Sequence, residues 1–125
     1  MSDKKRNNSK IRALVVEDDR LQLKLLIKFL KELNFEGNTA TNGIKAIELA
    51  RKGHYDICFM DIHMPVMGGV EATKFIKKEN SKDMPIIAIT ALDDFTYEKS
   101  LEIGMDDYLS KPVDIETLKA VISKH

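Results

Sequence analysis

Short unbroken apolar runs alternate along this chain with longer stretches whose apolar residues recur every three or four positions. Ile11–Val16 is brief, apolar and β-branched, which predicts a buried strand. The next segment carries Leu21, Leu25, Leu26, Phe29, Leu30 and Leu33, the spacing of an amphipathic helix. A weak strand follows over Glu36–Ala40. Asn42 is placed to cap a helix with Ile44, Ile47 and Ala50 on one face, ended by Gly53. Tyr55–Met60 is the third predicted strand. A turn over Pro65–Gly69 leads into a helix with Val70, Thr73 and Ile76 inward, and Pro85–Ile89 is the fourth strand. Asp93 or Asp94 is expected to cap a helix running to about Ile103, closed by Gly104, with Tyr97 and Leu101 as its inward residues. Asp107–Ser110 reads as a short fifth strand. Asp114 caps a last helix with Ile115, Leu118, Val121 and Ile122 inward.

Five strands alternating with five helices predict an α/β domain whose parallel sheet is covered on both faces. Right-handed crossovers leave few topologies open. In such sheets ligands bind beyond the carboxyl ends of the strands, and polar residues gather there after strands one, three, four and five. The chain's 125 residues suffice for one domain with a real core. Residues 1–10 are polar and basic and read as a flexible tail, with 11–125 as the domain. Lys+Arg and Asp+Glu are both 20, so bulk charge gives no case for direct nucleic acid binding. The single cysteine, Cys58, excludes a disulfide framework and suits a reducing cytoplasm. No apolar stretch approaches the roughly 20 residues of a membrane span.

Asp61 closes the third run, and Glu17-Asp18-Asp19 closes the first. If Glu17, Asp18 and Asp61 share a pocket, two carboxylates about 4 Å apart repel by roughly 4 kcal/mol at an effective dielectric near 20. A cation must then bind or a pKa must rise. The ligands are oxygens, which favours a hard cation, Mg²⁺ with Mn²⁺ as an alternative, over zinc. Mg²⁺ commonly bridges carboxylates to phosphate. Asp61 is a candidate nucleophile, Lys111 a compact positive charge for phosphate oxygens, and Thr90 a hydroxyl donor to them. Ala91 is small and leaves room for the incoming group.

Four strings then carry a family resemblance: Val15-Val16-Glu17-Asp18-Asp19, Met60-Asp61-Ile62-His63-Met64-Pro65, Ala88-Ile89-Thr90-Ala91 and Asp107-Tyr108-Leu109-Ser110-Lys111-Pro112. The chain resembles a receiver domain of bacterial two-component response regulators over nearly its whole length past residue 11. The resemblance implies a single doubly wound (βα)5 flavodoxin-like domain with strand order 2-1-3-4-5. It implies that Asp61 accepts the phosphoryl group, that Asp18 binds Mg²⁺ directly and Glu17 through water, and that the His63 backbone carbonyl is a further ligand. Thr90 and Lys111 would grip the phosphoryl group, Tyr108 would act as an aromatic switch, and the Lys111–Pro112 bond would be cis. The donor would be a phosphohistidine on a histidine kinase or histidine phosphotransfer protein. The face of the fourth helix, fifth strand and fifth helix would signal to an output protein that the sequence does not identify. Such a chain is a switch that loads and unloads itself, not an enzyme for external substrates.

One departure is Gly68-Gly69, where many relatives have Asp-Gly; the turn survives and phosphate acceptance should change little. His63 and Leu92 flank the site at positions that tune phosphoryl lifetime in the family. The Met64-Pro65-Val66-Met67 loop with Glu71-Ala72-Thr73 looks more like receivers of hybrid kinases and phosphorelays than those of transcription factors. Plainer readings stand beside these. Asp19 reads as a solvated residue near a helix start, Cys58 as core, and His54, His63 and His125 as exposed side chains. The alternative function is a Mg²⁺-dependent aspartate-nucleophile phosphohydrolase, but such enzymes need a second acid where His63 stands. A nucleotide- or flavin-binding domain would want a glycine-rich loop where Glu17-Asp18-Asp19 stand.

Overall fold

The computed structural model describes residues 11–64, 67–79 and 84–125. The basic tail and the Pro65-Val66 half of the Met-Pro-Val-Met turn lie outside the described residues. Along the chain run β1 (Ile11–Val16), α1 (Arg20–Glu32), β2 (Phe35–Ala40), α2 (Gly43–Lys52), β3 (Ile57–Asp61), α3 (Gly69–Glu79), β4 (Ile86–Thr90), α4 (Tyr97–Glu102), β5 (Asp107–Ser110) and α5 (Ile115–Lys124). All strands pair in parallel, in the order β2-β1-β3-β4-β5. This is the doubly wound sheet that the alternating pattern predicts.

Period-2 alternation divides the strands between two cores. Leu14, Val16, Cys58, Met60, Ile86 and Ala88 face α2 and α3, which supply Ala46, Ile47, Ala50, Ala72 and Ile76. Ala13, Val15, Ile57, Phe59, Ile87, Ile89 and Leu109 face α1 and α5, which supply Leu26, Leu30, Leu118 and Val121. Both faces of the three central strands are therefore dry, so their sequences read as unbroken apolar runs. Phe59, fully buried, contributes on the order of 2–3 kcal/mol by leaving water. Burial holds the Cys58 thiol neutral, with its pKa pushed up to about 12, as befits a core residue.

Four apolar assignments are corrected. Leu21 is 75% exposed and Ile44 is also largely exposed, because each sits in the first turn of its helix, beyond the edge of the core. The fourth helix differs most. It spans six residues and is capped by Thr96, whose hydroxyl accepts from the Lys99 N–H, not by Asp93 or Asp94. That register turns Ser100 inward and leaves Tyr97 and Leu101 47% and 49% exposed. Phe95, just before the helix, is the buried aromatic of this region. The caps at Asn42 and Asp114 are as expected, each accepting from the N–H three residues on.

Candidate functional site

Every residue of the acidic cluster lies where a strand ends. Glu17 follows β1 and stays in register with the sheet by donating its N–H to the Ala40 carbonyl at 3.0 Å. Asp61 is the last residue of β3, paired with Ile89 of β4. Glu17 and Asp61 are each 1% exposed, whereas Asp18 is open to solvent. Glu17, Asp18 and Asp61 bring carboxylate oxygens within 4.8 Å of one another. Lys111, just past β5, reaches into the same space. Its Nζ lies 3.1 Å from Glu17 Oε1 and 3.1 Å from Asp61 Oδ2. The chain enters that lysine from Ser110 with the Lys111 N–H donating to the Thr90 carbonyl, and the Lys111–Pro112 bond is cis.

The electrostatics follow from burial and crowding. Three ionised carboxylates against one ammonium leave a formal charge of −2 in this pocket. Glu17 absorbs part of the strain. Burial, followed by the neighbouring Asp61, pushes its pKa up to about 7, against the opposing pull of the Asp19 N–H and Lys111. Burial also works against the Lys111 charge, but the bonds it donates to Asp61 and Glu17 outweigh it and hold that pKa above the ordinary lysine value. The donor set is all oxygen and carries surplus negative charge, which fits a hard divalent cation. Glu17, Asp18 and Asp61 are the residues that would hold it.

A pH dependence follows. Because Glu17 binds its proton more tightly folded than unfolded, its contribution is greatest below pH 4.5 and is lost as pH rises towards 7. Metal-free protein should lose at most about 3 kcal/mol from this group between those limits, read as a falling urea midpoint. A flat or rising profile that persists in Glu17→Gln would show that Glu17 is not the group responsible.

The remaining predicted residues sit around this cluster in different relations to it. The His63 N–H donates to Asp61 Oδ1 at 3.0 Å, and its side chain is exposed. Thr90 ends β4 fully buried, and its hydroxyl accepts from the Leu92 N–H at 3.0 Å. Ala91 follows it, exposed. Tyr108 lies one strand further out, its ring tilted against Phe95 with centroids 5.5 Å apart.

Two supports were not anticipated. Asp19 is the N-cap of α1, accepting from the Leu21 and Gln22 N–H groups, while its own N–H donates to Glu17 Oε2 at 3.1 Å. It thus ties the start of α1 to the buried glutamate. The signal was present as Asp19 followed three residues later by Gln22, the spacing of a helix-start box. Gly69, first residue of α3, approaches β3 so closely that a Cβ there would lie 2.2 Å from the Asp61 carbonyl oxygen. Gly69→Ala should therefore displace the loop beneath Asp61 and cost about 1–3 kcal/mol, seen as a lower melting temperature. An unchanged melting temperature would mean that this approach is not constrained.

Comparison with known proteins agrees with this geometry. A family model described as the response regulator receiver domain matches residues 13–123. Hybrid signal transduction histidine kinase G of Dictyostelium discoideum is 38% identical over 124 residues, covering 95% of this chain and 4% of that protein. The chain spans between 4% and 21% of the lengths of the most similar curated relatives. The receiver domain of a sensor histidine kinase from Pseudomonas aeruginosa, with a magnesium ion coordinated in its active-site cleft, superposes with a TM-score of 0.83 at 32% identity, covering 93% of this chain and 97% of that one. The receiver domain of Ssk1 from Saccharomyces cerevisiae, crystallised with the histidine phosphotransfer protein Ypd1, gives 0.80 at 32% identity, covering 93% and 88%.

Proposed function

This chain belongs to the response regulator receiver domain family, and from that membership we propose that it is a Mg²⁺-dependent phospho-accepting switch of a two-component system or phosphorelay. Asp61 is the acceptor. The observation that carries this reading is the buried Asp61 carboxylate held by Lys111 beside Glu17 and Asp18. The donor is a phosphohistidine on a histidine kinase or a histidine phosphotransfer protein, a choice supported by the likeness to a receiver crystallised with such a partner. Among the described residues no helix is long and apolar enough to cross a membrane.

An oxygen of Asp61 attacks phosphorus, the N–P bond breaks, and the donor imidazole leaves as the neutral base after taking a proton. Glu17, Asp18, Asp61 and the His63 backbone carbonyl would hold Mg²⁺, which would neutralise charge during the transfer. Lys111 exchanges its bond to the Asp61 carboxylate for one to a phosphoryl oxygen, so its charge is in place before transfer begins. The Thr90 hydroxyl accepts a hydrogen bond here and keeps its own proton to donate to the incoming group. In doing so it moves towards Asp61, and Tyr108 follows into the space it leaves. The α4-β5-α5 face then changes. Its weak anchoring supports that role, since α4 is six residues long and buries only Ser100.

The test is intact mass after incubation with acetyl phosphate. With Mg²⁺ the protein should gain one phosphoryl group, stable in acid and labile to hydroxylamine. After metal chelation the gain should disappear. Uptake undiminished by chelation would remove the metal from the proposal, and failure to bind beryllofluoride, together with no adduct, would remove phosphate acceptance itself.

A further inference from the structure

We propose that the outer edge of β2, with the groove between it and α1, is a docking site for an extended acidic segment of a partner protein, which adds to the sheet as a sixth strand. The lining of this groove shares no residue with the carboxylate cluster, and docking there does not depend on its chemistry.

The groove is a consequence of small side chains. β2 closes one side of the sheet, so among the described residues its outer backbone groups have no strand beside them. On the face that α1 covers, β2 presents Phe35, then Gly37 and Thr39, and β1 presents Ala13 and Val15 beneath. Beyond Phe35, the side chains at 37, 39, 13 and 15 are too small to fill the space under α1. A cavity of about 450 Å³ results, walled by Ile27 and Leu30 and ending on Phe35. Gly37 cannot be enlarged to fill it, because a Cβ there would fall 1.8 Å from the Ala13 carbonyl oxygen. An apolar floor beside an open strand edge is the arrangement used when a peptide pairs by its backbone and is selected by alternate side chains.

Charge decides the occupant. Arg20, Lys24, Ile27 and Lys31 fall on one side of α1 by helical spacing, and Lys31 lines the groove itself. The three basic residues are exposed and, among the described residues, form no ion pair. Glu36 of β2 also lines the groove, but its carboxylate is paired with Arg12 at 3.5 Å, which leaves Lys31 as the unpaired charge of the lining among the described residues. A strand whose alternate residues on the α1 side are acidic, the others pointing to the opposite face, matches this border. The chain's own first ten residues do not, since they carry Lys4, Lys5, Arg6 and Lys10 against Asp3 alone. A second copy fits poorly as well. Pairing β2 with β2 about a two-fold axis would set the two basic stripes against each other across the joined groove.

The experiment is an amide NMR titration of the full chain with three capped hexapeptides, alternating Glu-Val, alternating Lys-Val and alternating Ser-Val. Glu-Val should perturb residues 35–39 and 24–31. Its affinity should fall about tenfold or more with added salt, since these charges are exposed, and in Lys24→Glu/Lys31→Glu. That variant should keep its dispersed spectrum and its mass gain with acetyl phosphate. Equal binding of Lys-Val or Ser-Val, perturbation elsewhere, or no perturbation by Glu-Val at millimolar concentration would overturn the proposal. So would concentration-dependent dimerisation that shifts residues 35–39 without peptide.

Discussion

Asp61→Asn is expected to abolish phosphoryl uptake and, without divalent metal at neutral pH, to leave the protein more stable than the parent. The first effect follows from the loss of the nucleophilic oxygen. The second follows from crowding. Asp61 is one of two carboxylates buried in the same pocket, and its presence is among the causes that push Glu17 up to about 7. Asparagine keeps the shape and removes the charge, so Glu17 needs less to ionise. Lys111 loses one of its two partners and keeps the other. The net gain should be about 1–2 kcal/mol at pH 7–8, part of what Glu17's raised pKa costs there. It should vanish near pH 5, where Glu17 is protonated in the parent as well. Intact mass and paired urea titrations at the two pH values read both effects. A variant that still accepts phosphate as the parent does would have its acceptor elsewhere, and one destabilised equally at both pH values would refute the crowding account.

The same crowding explains why this site was legible before its geometry was known. Buried strands leave few reasons for Asp61 or Glu17 to stand at their ends, because an ionised group there loses its water. A strand's period and direction also put its last residue at one edge of the sheet, so residues far apart in sequence meet. Glu17 and Lys111 are 94 positions apart and still in contact. The three central strands and the two site acids at their ends were therefore legible, because each unbroken apolar run allows one placement.

Short, weakly apolar segments allow several placements, and the misreadings fall there. Over 93–103 the chain offers Asp93, Asp94 and Thr96 as caps, and Tyr97 and Leu101 at helical spacing. Periodicity shows that two residues share a face but not whether that face meets the core. In α4 it does not, because Ser100 occupies the inward position and Phe95, just before the helix, fills the core beside it. Asp19 escaped for a different reason. Its value lies in backbone bonds to Leu21, Gln22 and Glu17, and an exposed aspartate beside two stronger candidates carries little signal of its own.

Lys111→Met should produce the opposite stability change to Asp61→Asn while also crippling uptake, and the pair separates the two roles of charge in this pocket. The lysine is the cation that the described residues supply to Glu17 and Asp61, at 3.1 Å from each. Methionine fills similar volume with no charge. The carboxylates then face each other uncompensated, so Glu17 should take up its proton at higher pH than in the parent. Breaking a buried pair by removing one member costs about 3–5 kcal/mol. The Lys111 side chain is partly exposed, so a loss near 3 kcal/mol is expected at pH 8 without metal. Added Mg²⁺ should restore most of it, because a divalent cation answers the same surplus charge. Phosphoryl uptake should not be restored. The donor aimed at the developing charge is gone, and removing such a group lowers rates by roughly 10²–10³-fold. Urea midpoints with and without Mg²⁺, beside the rate of mass gain from acetyl phosphate, test both halves. Uptake within threefold of the parent would deny Lys111 its role in transfer, and a stability loss that Mg²⁺ leaves untouched would mean that the lysine supports the fold by packing rather than by its charge.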